Sequence, residues 1–165
     1  MVTISDRSYL ERILAHVGDR DTMDVLAESA GQVEAVVRRL GPARLGTPWG
    51  SGKWTGAQVL AHLADAEIAL AFRSRQILTQ QSHTMQEYDE TAWMGLYGGE
   101  IDVDSALRTL LTTRRWNLQL WRRLDPQQLG RVAVHPSRGN EALAVTLRAL
   151  AGHTLSHLRQ LEAIG

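Results

Sequence analysis

Apolar positions recur at helical spacing in four long stretches of the chain. In the first, Met23, Val25, Leu26, Val33, Val36, Val37 and Leu40 form one side of a helix over residues 21–40. Asp21 opens it, and Gly41-Pro42 stops it. In the second, Val59, His62, Leu63, Ala66, Leu70, Arg73 and Ile77 mark the inward face of a helix over residues 55–78. Thr55 and Gln58 stand at the two positions of a capping box there. The third, over residues 104–124, carries Val103, Ala106, Leu107, Leu110, Leu111, Leu118, Trp121 and Leu124. Asp102 or Asp104 caps it, Asp125-Pro126 ends it, and Arg108, Arg114, Arg115, Arg122 and Arg123 make its polar face. The fourth spans residues 141–164. Its stripe of Leu143, Leu147, Leu150, Thr154, Leu158 and Leu161 runs beside a second of Thr146, Leu150, His153, His157 and Ile164.

The remaining stretches read as connections. Tyr9, Leu10, Ile13, Leu14 and Val17 show helical spacing across residues 5–17, within an N-terminal extension of residues 1–20. Residues 41–53 are rich in glycine and proline, with Trp49 and Trp54 as anchors against the helices. Residues 79–103 show the weakest periodicity; a loop of that length in a small domain points to function, and its aromatic residues point to order. Residues 130–135 alternate in the manner of a strand but stand isolated, and residues 137–140 turn into the last helix. The economical solution is an all-α fold, a four-helix bundle forming a single domain over residues 1–165.

Charge and cysteine content narrow the function. Lys plus Arg equals Asp plus Glu at 18 each, so the chain lacks the basic excess with which nucleic-acid binders displace counterions. No apolar run approaches the roughly 20 residues of a membrane span, and residues 1–11 lack the pattern of a signal peptide. The expected setting is the cytoplasm. With no cysteine, thiolate ligands, disulfides and a cysteine nucleophile are all excluded, and any thiol chemistry must use a thiol carried by a cosubstrate.

The chemistry centres on histidines. His153 and His157 lie four residues apart on one helix face, about 6 Å apart in rise, and both can reach one ion through bonds near 2.1 Å. His62 on a neighbouring helix can supply a third imidazole, leaving one side of the ion open. The bland alternative is a pair of core-edge histidines and one hydrogen-bonded core histidine. Thr154 occupies the place that the general-base Glu holds in H-E-x-x-H, so the metalloprotease signature is absent. Asp65 reads either as an acceptor orienting an imidazole or as an exposed charge, and Gln160 invites the same two readings. Tyr88, Asp89 and Trp93 either cover the mouth of the site or pack an ordered loop. Among the other histidines, His16 reads as a solvated helix residue, while His83 and His135 fall in loops where either can edge a pocket. Gly152 costs its helix up to about 1 kcal/mol relative to alanine, which a close helix approach beside the metal would explain.

Gly52-Lys53-Trp54-Thr55 leading into residues 59–67, then Tyr88-Asp89 and Trp93, then Gly152-His153 and His157-Leu158-Arg159-Gln160, resemble the DinB/YfiT-like superfamily. The similarity extends from about Asp21 to Ile164, and His62, His153 and His157 stand where that family places its metal ligands. The resemblance implies an up-down-down-up bundle, commonly a homodimer, and a divalent metal, zinc or nickel most often, on those three histidines. It implies a small-molecule substrate and no DNA binding. The leading expectation is a thiol S-transferase that uses a low-molecular-weight thiol on an electrophilic small molecule. The alternatives are a metal-dependent hydrolase of amides or esters, with Asp65 or His83 as proton acceptor, and a non-catalytic metal- or ligand-binding dimer.

Overall fold

The computed structural model describes residues 7–165. The start of the N-terminal extension, including Ser5 and most of the segment weighed as a signal peptide, lies outside the described residues. In chain order the elements are α1 (Arg7–Val17), α2 (Thr22–Leu45), α3 (Gly56–Thr79), α4 (Glu90–Gly95), α5 (Val103–Trp121), α6 (Pro126–Leu129), β1 (Val132–His135), β2 (Gly139–Ala142) and α7 (Leu143–Glu162).

Helices α2, α3, α5 and α7 form the four-helix bundle, in up-down-down-up order. Both α2 and α3 pack on α5 and α7, so α2 and α3 face each other across the diagonal. Because α3 and its neighbour α5 run parallel, the chain between them must travel back along the bundle, and residues 80–102 do so. The helix starts follow from side-chain caps. Asp21 accepts from the amides of Met23 and Asp24 at 2.8 and 3.0 Å, Thr55 and Gln58 close a reciprocal capping box, and Asp102, not Asp104, caps α5 through Ser105 N. Gly41, at φ 67°, makes a kink rather than the expected stop. Pro42 needs no amide donor there, and the helix resumes for a turn to bury Leu45.

The interior is divided along the bundle axis. One apolar cluster gathers Leu26, Leu70, Trp121, Leu147 and Ala151. A second gathers Val33, Leu63, Leu110 and Leu158. Between them, on each of the four helices, sits a buried polar residue: Ser29, Glu67, Arg114 and Thr154. Arg114 is 1% exposed and joins them. It donates to Glu67 Oε1 from Nε and Nη2 at 2.9 and 2.6 Å, to Leu26 O and Ser29 Oγ from Nη1 at 2.6 and 3.4 Å, and to Thr154 Oγ1 at 3.0 Å. The polar-face assignment of Arg114 is therefore reversed. The buried residues of α5 are Leu107, Leu110, Arg114, Asn117 and Trp121, a three-four spacing that includes the arginine.

The N-terminal extension holds a further helix, α1, that docks along α7. Gly152 makes the fit possible, since a Cβ built there would lie 2.6 Å from the carbonyl carbon of Ile13 and overlap the carbonyl oxygen. Gly152→Ala should therefore cost about 1–3 kcal/mol by thermal denaturation, although alanine is the better helix former. An unchanged or raised midpoint would refute the close approach.

The alternating segment at 130–135 is not isolated. As β1 it pairs antiparallel with β2, in a register from Val132↔Ala142 to His135↔Gly139. Its other edge bonds the chain at 83–85, through Met85 N to Val134 O and Val134 N to His83 O, both at 2.9 Å. Gly139, at φ 80°, permits the turn. Glu141 and Ala142 belong to this hairpin, which is why the last helix begins at Leu143. Among the described residues no helix is long and apolar enough to cross a membrane.

Candidate metal centre

α7 presents His153 and His157 one turn apart, and α3 packs alongside with His62 at the same level. The Nε2 atoms of the three rings converge: His62 to His153 at 2.9 Å and His157 to His153 at 3.1 Å. All three side chains are buried. Burial holds each below the ordinary histidine pKa, His157 at about 4, with the neighbouring imidazoles adding to the effect at His62 and His153. The rings are therefore neutral near pH 7. A neutral imidazole carries one N–H, so His153 Nε2 can donate to only one of its two neighbours. The gathering leaves nitrogen lone pairs facing one another unless a cation stands among them.

The separations suit such a cation. Two bonds of about 2.1 Å at roughly a right angle place their nitrogens about 3.0 Å apart. The tautomer of His157 suits it as well. Its Nδ1 lies 2.7 Å from Gln160 Oε1, which only accepts, so Nδ1 carries the proton and Nε2 offers a lone pair. The ring of Trp54 leans on His62, with centroids 5.1 Å apart, and limits its rotation.

A fourth group approaches from the connection between α3 and α5. Glu90 Oε2 lies 3.5 Å from His62 Nε2. Burial, and secondarily the charge of Asp89, raises its carboxyl to about 7; a cation at the histidines would pull it back down. Sequence reading missed Glu90 because helical periodicity is undetectable in a helix as short as α4. The available signal was Asp89, which caps α4 by accepting from the amides of Thr91 and Ala92 at 2.9 and 3.0 Å.

Beside this group a cavity of about 340 Å³ runs between α3 and α7. Glu90 and His153 line one end, Ile13, Ala66, Leu70 and Leu150 its apolar walls, and Arg73, His135 and Thr146 the other end. Tyr88 and Asp89 also line it, and Trp93 supports Tyr88 with ring centroids 4.4 Å apart. Of the two proton-acceptor candidates, Asp65 accepts from Tyr97 Oη at 2.8 Å, and His83 is buried in the 83–85 connection; neither lines the cavity. His135 does line it, with Nδ1 3.1 Å from Ser137 Oγ and 3.7 Å from Glu87. His16 lies 3.0 Å from Arg159 Nη1, away from the cavity.

Comparison with known proteins places this geometry in a family. The chain is 27% identical over 121 residues (73% of this chain, 70% of the relative) to a protein of Oceanobacillus iheyensis named "Putative metal-dependent hydrolase". It is 24% identical over 161 residues (98% of this chain, 92% of the relative) to a protein of Bacillus mycoides with the same designation. In structure it is similar to YfiT from Bacillus subtilis, described as a probable metal-dependent hydrolase with an unusual four-helix bundle topology. The TM-score is 0.82 at 25% identity, over 99% of this chain and 89% of that one. The model of the DinB superfamily matches residues 25–161, a span that contains all three converging histidines, and the chain belongs to that superfamily.

Proposed function

We propose that this protein is a metal-dependent hydrolase of a small molecule, with His62, His153 and His157 holding a divalent cation and Glu90 serving as proton acceptor. The observation that carries the reading is the convergence of three buried, neutral Nε2 atoms at 2.9 and 3.1 Å. A cation bound there supplies Lewis acidity, polarising a substrate carbonyl and acidifying water. Glu90, with Oε2 3.5 Å from His62 Nε2, can take a proton from the attacking water and return it to the leaving group. Tyr88 and Asp89 line the cavity beside it, with apolar walls of Ile13, Ala66, Leu70 and Leu150.

Relatives named as metal-dependent hydrolases support this class. Thiol transfer at the same centre is the second reading. A chain without cysteine agrees with a thiol supplied by a cosubstrate, and Glu90 would then take the thiol proton. Zinc-reconstituted protein offered a panel of activated esters and amides, with and without added low-molecular-weight thiols, separates the two. Turnover without thiol supports hydrolysis, whereas turnover only with thiol, yielding a conjugate, supports transfer. Glu90→Gln should retain one metal ion per chain and lose about 10²–10⁴-fold in kcat. Wild-type rates in that variant would remove Glu90 from the mechanism.

A further inference from the structure

We propose that the end of the cavity remote from the histidines is an anion subsite, in which Arg73 receives a carboxylate of the substrate while the reacting group lies at the metal centre. This deepens the hydrolase reading by naming a substrate class: an apolar acyl or aryl body with a carboxylate at the end opposite the reacting group.

The register of α3 sets the arrangement. His62, Ala66, Leu70 and Arg73 follow one another at helical spacing on one face, and the last three line the cavity. Eleven residues separate His62 from Arg73, three turns or about 16 Å of rise. Side chains on a helix lean toward its N-terminus, so the guanidinium reaches back along the cavity toward the histidines. The walls between are Ala66, Leu70, Ile13 and Leu150. They accept hydrocarbon and offer no polar partner to the middle of a ligand.

The charges of the cavity single out Arg73. Arg138 and Glu141 bind each other through two bonds, at 2.7 and 3.0 Å. Glu87 accepts from Ser137 Oγ at 2.9 Å, and Asp89 is engaged in capping α4. Arg73 donates from Nη2 to the carbonyl of Gln86, and its guanidinium stands over the Tyr88 ring, 5.4 Å from the centroid. Among the described residues, no carboxylate lies within 4.0 Å of it; Glu87 and Glu141 act on it only at longer range. A half-buried cation with no carboxylate in contact is costly, and burial lowers the pKa of Arg73. The contacts to Gln86 and Tyr88 fix the plane of the guanidinium and leave its other edge to bind a carboxylate through paired N–H donors.

The subsite can be tested without turnover. Phenylalkanoates with chains of about three to six carbons, and their primary amides, would be titrated calorimetrically into metal-free full-length protein, so that no carboxylate can bind a metal instead. At least one acid should bind about tenfold more tightly than its amide. In Arg73→Gln that preference should shrink to less than about twofold while amide affinity holds, and Arg73→Lys should keep an intermediate preference. Equal affinities of acids and amides for the wild-type protein, or no binding of either, overturn the subsite whether or not the variants fold. So does a preference that survives in Arg73→Gln. The outcome is independent of the reaction. Acid preference without hydrolysis of any ester keeps the subsite and removes the hydrolase reading, and turnover of neutral esters without acid preference does the reverse.

Discussion

His153→Ala is expected to lower bound divalent metal from about one ion per chain to less than about a tenth, measured by elemental analysis of tag-free protein reconstituted with zinc and desalted. The effect should be this large because His153 is the central member of the group. Its Nε2 lies 2.9 Å from that of His62 and 3.1 Å from that of His157. Without it, two imidazoles remain, and a site that closes one face of an ion becomes a pair of ligands with the cavity open beside them. A second readout separates loss of metal from loss of fold. Zinc should raise the thermal midpoint of the wild-type protein through mass action and leave that of the variant unmoved. Wild-type protein that holds no ion after reconstitution, or a variant that holds as much as wild type, would defeat the assignment of these histidines as ligands.

The second large effect is structural. Arg114→Ala should destabilise the fold by about 3–5 kcal/mol, because it strands the carboxylate of Glu67, which is 0% exposed, without a counter-charge. At roughly 2–4 °C per kcal/mol for a chain of this size, the midpoint should fall by roughly 6–20 °C. Glu67 already carries one buried oxygen, Oε2, with no hydrogen-bond partner, so it has nothing in reserve to replace the arginine. The loss should not be additive. Arg114→Leu combined with Glu67→Leu removes both charges and should recover much of the stability, as apolar replacement of buried ion pairs often does. A fall below about 1 kcal/mol for the single variant would show that water reaches this layer and solvates Glu67.

The four bundle helices were readable because each repeats its apolar spacing over some twenty residues, and three of them, α2, α3 and α5, begin at a side-chain cap. The histidine pair was readable for the same reason, since its four-residue spacing means little off a helix. The contact between His62 and His153 joins residues 91 positions apart in sequence; the place of His62 on an inward helix face suggested it, and the family pattern strengthened it. Three features escaped for separate physical reasons. Arg114 was assigned by residue type to the polar face, although its spacing from Leu110, Asn117 and Trp121 is that of the buried seam. Glu90 sits on a six-residue helix, too short to display a period. The β1–β2 hairpin hid because its second strand, Gly-Asn-Glu-Ala, has almost no strand character of its own. It is held by ladder bonds and by Glu141, which pairs with Arg138 and accepts from Thr146 Oγ1 at 2.8 Å.

Helix α1 contributes Ile13 to the cavity wall and lies against α7 at Gly152, yet residues 7–17 precede the span that matches the family model. The histidines sit wholly within that span. The candidate ligand histidines and one wall of the cavity are thus carried on different helices of the chain. A change along α1 can therefore reshape that wall while leaving the three imidazoles in register.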